Sequence, residues 1–328
     1  MTLKDISKII LESNKIGLTF HTSPDGDAIG STLGLLNGLR EIGKDVYVIS
    51  REVIPNNLSF LPLGDEIDGE ITKPINETDL VIVLDCGNED RICADLEEYE
   101  GVILNIDHHV SNDNYGKYNY VDSKASATAE IVYLLLKELN FAFNSSENIY
   151  KTIGTCLYTS LVTDTGSFRH SNVRKRTHDI AGALIECGVN NSYVYNELFG
   201  NKPYDKVKFT GAALNNLQLY INNKVSFIEV PLKMLESFGM ESVDTSDIIN
   251  MILSIAGVEV AVIIKEVEDG VKGSLRSKND IDVSKIAGVF GGGGHVKASG
   301  LKIMNVSLEE AKNKILKEIE KEILLWMA

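Results

Sequence analysis

The chain has 328 residues, 44% of them hydrophobic, and a formal net charge of −15 from 47 acidic and 32 basic side chains. That length favours two domains, and the apolar content is that of a folded globular protein. The acidity argues against a protein that coats long DNA or RNA through phosphate contacts, but leaves short phosphorylated ligands open where a metal supplies positive charge. No apolar run is long enough to span a bilayer. The N-terminal "MTLKDISKIILESNKIG" lacks the basic start, apolar core and cleavage site of a signal peptide. A cytoplasmic protein without membrane attachment is therefore expected. Cys86, Cys93, Cys156 and Cys187 show no CxxC spacing and are expected to be reduced packing residues.

The first stretch reads as an amphipathic helix. It is followed by a short apolar strand over 16–23 and a helical period over 28–44 with a glycine near its end. "DVYVIS" (45–50) is a strand, and 78–87 and 101–110 are continuous apolar runs, as in parallel strands buried on both faces. Helical stretches at 126–140 and 148–166 complete an alternation that predicts an α/β domain, a parallel sheet with helices on both faces. The stretch 187–208 is polar and loop-rich, and reads as a linker between a first domain (1–186) and a second (209–328). The second carries a strand at 224–231, a helix at 245–257 and two strands around the Asp269-Gly270 turn. A short helix at 282–290 then runs into "GGGGHVKASG", and a helix from 307 closes the chain. This is a smaller α+β domain.

The acids and imidazoles of the first domain gather in four short clusters. They are His21, Asp25 and Asp27 in "HTSPDGDAIGS", Asp85 in "LDCG", the trio Asp107-His108-His109, and Asp164 in "VTDTG". Three of these clusters fall at the carboxyl ends of predicted strands, the edge where open α/β sheets bind ligands. No lysine or arginine lies within any of the four. Carboxylates packed together without counter-ions carry a severe desolvation and repulsion cost, which divalent cations remove. Oxygen donors with some imidazole and no thiolate favour Mn²⁺, Mg²⁺ or Co²⁺.

"DHH" at 107–109, with "HTSPDGDAIGS", "LDCG" and "TDTGSF" in order around it, resembles the DHH phosphoesterase superfamily. That superfamily includes RecJ-type exonucleases, family II pyrophosphatases, cyclic-dinucleotide phosphodiesterases and nanoRNases. The resemblance implies two divalent cations, with Mn²⁺ foremost. His21, Asp25 and Asp85 would hold one; Asp27, Asp85, His108 and Asp164 would hold the other, with Asp85 shared. It further implies that His109 faces the substrate and that Asp107 orients the histidine pair.

In the second domain, the glycine run ending at His295 can converge backbone N–H groups on an anion, and Arg276 in "SLRS" can grip phosphate with a bidentate fork. Similar segments bind the nucleotide in DHH proteins. The resemblance therefore implies substrate binding by Arg276, Gly292, Gly293, Gly294 and His295, in a domain that closes over the metal rim. The basic segment 166–179 offers Arg169 and His170 as further contacts, with a solvated basic loop as the alternative reading. A stand-alone two-domain chain is most similar to the nanoRNases, which implies metal-dependent hydrolysis of very short oligoribonucleotides and of 3′-phosphoadenosine-5′-phosphate. A soluble cyclic di-AMP or pApA phosphodiesterase is the rival. A non-catalytic nucleotide sensor would lack a ligand, and none is missing. The expected partners are short RNA or small phosphorylated nucleotides, with no long duplex, no membrane and, by analogy, a second copy of the chain.

Overall fold

The apolar runs pair side by side and in parallel. Strands β1 (Lys15–Thr19), β2 (Asp45–Val48), β3 (Leu80–Leu84), β4 (Val102–Asp107) and β5 (Tyr118–Val121) form one sheet in the order β2-β1-β3-β4-β5. Every pairing is parallel, with Leu18 flanked by Val48 and Ile82, and Ile82 by Leu104. All of β3 is buried, as a strand with two neighbours and two covered faces must be. The short strand β5 has no counterpart among the elements expected from the sequence. Its "YNYV" lies at the sheet edge, half-buried throughout, and gives no apolar run to recognise.

The computed structural model describes residues 1–240 and 243–327, in two compact units that divide between Asn201 and Lys202. Helices α1 (Leu3–Glu12), α2 (Gly26–Glu41), α3 (Thr128–Glu138), α4 (Asn148–Asp164), α5 (Lys175–Glu186) and α6 (Asn191–Tyr195) complete the first. Its main core joins Leu18, Ile82, Leu104 and Ile106 of one sheet face to Ile6, Leu33, Leu135 and Leu157 of the helices. The opposite face, with Val81 and Val83, is covered by Ile92, Ala94, Leu96 and Tyr99. The expectation of helices on both faces is thereby corrected. The connection from β3 to β4 lacks a helical period, holds only a 3-10 turn at Glu89–Arg91, and covers its face as irregular chain.

Close approach of α2 to α4 depends on glycine. Gly26, Gly30 and Gly34, spaced four apart, face Thr163, Ser160 and Leu157. This spacing makes a smooth strip along one side of α2. A Cβ at Gly30 would collide with the Ser160 hydroxyl and the Cys156 carbonyl. The contact brings the first turn of α2 beside the last turn of α4.

The stretch 187–208, expected as a linker, is largely helical: it holds α6, a π-turn at Asn196–Gly200 and the start of α7 (Tyr204–Asn215). Its polar character partly reflects capping, since the Asn190 side chain accepts from the Tyr193 N–H at the start of α6. The second unit has a six-stranded mixed sheet. Its strands β6 (Gln218–Tyr220), β7 (Val225–Val230), β8 (Val260–Val267), β9 (Gly270–Ser277), β10 (Gly293–His295) and β11 (Ala298–Met304) run in the order β10-β11-β9-β8-β7-β6. Helices α8 (Leu232–Ser237), α9 (Ser246–Leu253), α10 (Val283–Val289) and α11 (Leu308–Met327) accompany it. One face packs Val262, Val271 and Leu275 on Ile286, Ile315 and Ile319. The other buries Ala261 and Ile263 under Phe209, Ile248 and Ile252, but that cluster takes nothing from β9, β10 or β11. Among the described residues, no helix is long and apolar enough to cross a membrane.

Candidate metal centre

Chain order reverses direction at β1, which lies between β2 and β3, and ligands bind at such switch points. His21 follows β1, Asp85 follows β3, and Asp107, His108 and His109 run off the end of β4. Asp25 is the N-cap of α2, Asp27 lies in its first turn, and Asp164 ends α4. The glycine strip thus unites the two helix ends at the sheet rim.

The donor atoms fall into two sets. His21 Nε2 lies 3.8 Å from Asp25 Oδ1 and 3.7 Å from Asp85 Oδ2. His108 Nε2 lies 3.7 Å from Asp27 Oδ2, 3.5 Å from Asp85 Oδ1 and 3.6 Å from Asp164 Oδ2. These separations are long for hydrogen bonds. They suit donors sharing an ion, since ligand atoms about 2.1 Å from one cation stand roughly 3–4 Å apart. Asp85 turns one oxygen to each histidine. Its backbone is left-handed, at φ +53°, a conformation that strains a residue bearing a Cβ.

Electrostatics agree with the geometry. Burial, and then the carboxylates of Asp27, Asp25, Asp164 and Asp107, push the Asp85 carboxyl well above its ordinary value. Burial and Asp27 push Asp164 up to about 7. Among the described residues, the ion pairs of Asp25, Asp27, Asp85, Asp107 and Asp164 are all with histidines. Arg91, which no sequence motif singled out, puts Nη2 3.3 Å from His21 Nδ1, but that nitrogen already meets the Thr22 carbonyl at 2.9 Å. One arginine does not balance the carboxylates. Divalent cations fit this donor set.

A second layer of contacts holds the donors still. His21 Nδ1 on the Thr22 carbonyl and His108 Nδ1 near the Ala125 carbonyl, at 3.3 Å, leave each Nε2 lone pair for the cluster. Asp27 accepts from the Thr128 and Ala129 N–H groups at 2.6 and 3.2 Å, and from Ser31 Oγ at 2.9 Å. It therefore caps α3, whose own N-cap, Ala127, has no side chain able to do so. Thr128 Oγ1 donates to Asp85 Oδ1 at 3.0 Å. Asp107 accepts from His109 Nδ1, the His108 N–H and Asn112 Nδ2. Burial works against its ionised form, but these bonds hold its carboxyl below the usual range.

The start of α3 is itself anchored. Glu130, fully buried, accepts from Ser126 Oγ and Thr177 Oγ1 at 2.6 Å and from Arg176 Nε at 2.5 Å; Arg176 also reaches Asp122 at 2.9 Å. Part of the basic segment is therefore internal machinery rather than a solvated loop. Arg176→Ala should lower stability by about 2–3 kcal/mol, read by urea unfolding, because it strands a buried carboxylate. It should also weaken metal binding by loosening the N–H groups that hold Asp27.

Of the other residues singled out in the sequence, Arg169 is exposed, and His170 lies over Gly166 with Nδ1 3.3 Å from the Asp164 carbonyl. Arg276, on β9, belongs to the second unit with Gly292, Gly293, Gly294 and His295. Three residues of the glycine run form β10, so part of their backbone hydrogen bonding goes to β11 rather than to an open anion loop. A Cβ at Gly292 would enter the Gly300 carbonyl, so packing alone demands glycine there.

Cation binding at this rim must compete with protons. Ligand carboxylates bind deprotonated, and Asp164 takes up a proton as pH falls through about 7. Calorimetric titration with Mn²⁺ should show affinity falling, and proton release growing, from pH 8 to 6. Asp164→Asn should flatten that dependence.

Residues 15–161 match the model of the DHH family N-terminal domain, and residues 222–324 match the DHHA1 domain. The chain is 31% identical to a Thermus thermophilus protein named bifunctional oligoribonuclease and PAP phosphatase NrnA, over 94% of this chain and 90% of that one. It is 32% identical to the Bacillus subtilis protein of the same name, over 92% of each. An exopolyphosphatase-related protein from Bacteroides fragilis has a similar solved structure, with TM-score 0.87 and 26% identity over 98% of this chain and 97% of that one.

Proposed function

Since this chain belongs to the DHH family, we propose that it is a phosphoesterase using two divalent cations, manganese foremost, to hydrolyse very short oligoribonucleotides and 3′-phosphoadenosine-5′-phosphate. The observation that carries this reading is the pair of donor sets sharing Asp85, in a chain related over nearly its whole length to proteins named for those activities. His21, Asp25 and Asp85 would hold one ion; Asp27, Asp85, His108 and Asp164 would hold the other. Ions held there supply positive charge to neutralise phosphoryl oxygens and to acidify an attacking water.

The protein's own groups do the rest. Asp107 binds His109 at Nδ1, 2.8 Å away, which leaves Nε2 on a side chain 42% exposed. The hydrogen bond to Asp107 raises the His109 pKa despite burial, which favours the protonated imidazole. It can hydrogen-bond a phosphate oxygen or protonate the leaving group. Arg276, Gly292, Gly293, Gly294 and His295 are assigned to the substrate's phosphate. Supporting this, Arg276 is half-buried and has no carboxylate within 4.0 Å among the described residues.

Product analysis with Mn²⁺ tests the reading. The substrates are a 5′-phosphorylated RNA dinucleotide, a longer RNA, 3′-phosphoadenosine-5′-phosphate, cyclic di-AMP and pyrophosphate. Mononucleotide from the dinucleotide and phosphate from the bisphosphate, with cyclic di-AMP intact, is the expected result. Cyclic di-AMP as best substrate would replace it with a signalling phosphodiesterase. His109→Ala should lower kcat about 100-fold with Mn²⁺ binding retained. Loss of metal binding instead would make His109 a ligand, since its Nδ1 lies 3.7 Å from Asp85.

A further inference from the structure

On the second sheet, register sorts side chains by face. Arg276 lies opposite Ala261 and Ala298, and Ala298 lies opposite His295. Two residues along β9, Ser274 lies opposite Gly300, which lies opposite Gly293. Two further along, Lys272 lies between Lys265 and Lys302. All of these share one face, since residues directly opposite, and residues two apart, point the same way. It is the face of the cluster under α9, which reaches β9 but takes no side chain from β9, β11 or β10, and on it Lys272, Gly300 and Lys302 are exposed.

Two basic rungs therefore border a floor of small residues. A Cβ at Gly293 would meet nothing within 4 Å, and one at Gly300 only the Gly273 carbonyl at 3.7 Å. Open space, rather than tight packing, lies above both. Like charges directly opposite one another destabilise a sheet, and three lysines in one row need a counterpart. Lys302 has Asp269 at 2.7 Å, and Lys265 donates to the Val243 carbonyl at 3.0 Å. Lys272 is exposed between them, with no carboxylate within 4.0 Å among the described residues. Lys265 and Lys272 also line a cavity of about 740 Å³, but Glu236, Glu266 and Glu268 line it too, so an anion would follow the exposed strands rather than enter it.

We propose that the Lys272–Lys302 rung is a phosphate subsite for the part of an oligonucleotide beyond the nucleotide held at Arg276. The inference rests on the oligonucleotide reading above. Four residues of strand separate Lys272 from Arg276, about 13 Å. That exceeds the separation of 3′- and 5′-phosphates on one ribose, so a mononucleoside bisphosphate bound at Arg276 does not reach the rung. A longer strand does. The small-residue floor between the rungs gives it room to lie on the sheet.

The test uses full-length protein and the pair Lys272→Ala/Lys302→Ala. Binding of a fluorescein-labelled pentaribonucleotide is followed by anisotropy in EDTA, and turnover of the pentamer and of 3′-phosphoadenosine-5′-phosphate is followed with Mn²⁺. The pentamer's Kd and KM should rise roughly tenfold, and its log–log salt slope should shrink by about 0.7 for each phosphate no longer neutralised. Turnover of the bisphosphate should change less than twofold. Gly300→Val, which fills the floor without altering charge, should weaken the pentamer in the same selective way. Equal losses on both substrates, unchanged pentamer binding, or a wild-type protein that does not bind the pentamer would overturn the subsite. A wild-type protein that binds but does not cleave the pentamer, with the variant binding it more weakly, would overturn the catalytic reading and leave the subsite standing.

Discussion

Asp85→Asn is expected to abolish metal-dependent turnover, by a factor of roughly a thousand or more. The wild-type carboxylate is 2% exposed and offers one oxygen to the His21 set and the other to the His108 set. An amide offers one neutral oxygen and turns an NH₂ group toward the other set of donors, so both proposed ion sites would suffer. Stability should move the opposite way. Without a cation, Asp85 is held against burial and four neighbouring carboxylates. Removing its charge should leave the EDTA-treated variant as stable to heat as the wild type, or more so. Mn²⁺ calorimetry and thermal unfolding read the two effects separately. A variant that keeps full activity would remove Asp85 from the bridging position.

The second large effect lies away from the ligands. Gly30→Leu should destabilise the fold by about 3 kcal/mol, because overpacking here meets backbone as well as side chain. The Cys156 carbonyl cannot rotate aside as a flexible side-chain end could. Forcing α2 from α4 also separates Asp25 and Asp27 from Asp164, so Mn²⁺ affinity should fall along with the urea midpoint. Gly211, in α7, gives the contrast. A Cβ there meets nothing within 4 Å, and Gly211→Ala should stabilise by about 0.5–1 kcal/mol through helix propensity. Equal behaviour at the two positions would refute the close-packing argument.

What could be read from the chain in advance follows from the range of each interaction. Buried strands announce themselves in continuous apolar runs such as 80–84, so the parallel sheet and the edge where the acids and imidazoles gather were legible. The clusters that the structure gathers at one rim were also visible, because imidazole and carboxylate crowd into short motifs. Strand β5 was not, since an edge strand needs no apolar run. Helical periodicity says that a helix buries one face, but not which side of a sheet it takes. The supports of the site were the least accessible. Thr128 serves Asp27 and Asp85, Arg176 serves Glu130, and Arg91 approaches His21, each at a sequence separation of 43 or more. Nothing local in "SATAE" or "NVRKRTH" distinguishes those roles from an ordinary helix start or a charged surface.

Asp27 closes the N-terminus of α3 with the same carboxylate that faces the cluster. The cap bonds run between protein groups alone, so one ligand candidate and the start of α3 are tied to each other. Chelation should leave a folded protein that accepts Mn²⁺, Mg²⁺ or Co²⁺ in turn, reversibly and without a refolding step. In such a scaffold, exchanging one ion for another compares the chemistry of the ions themselves.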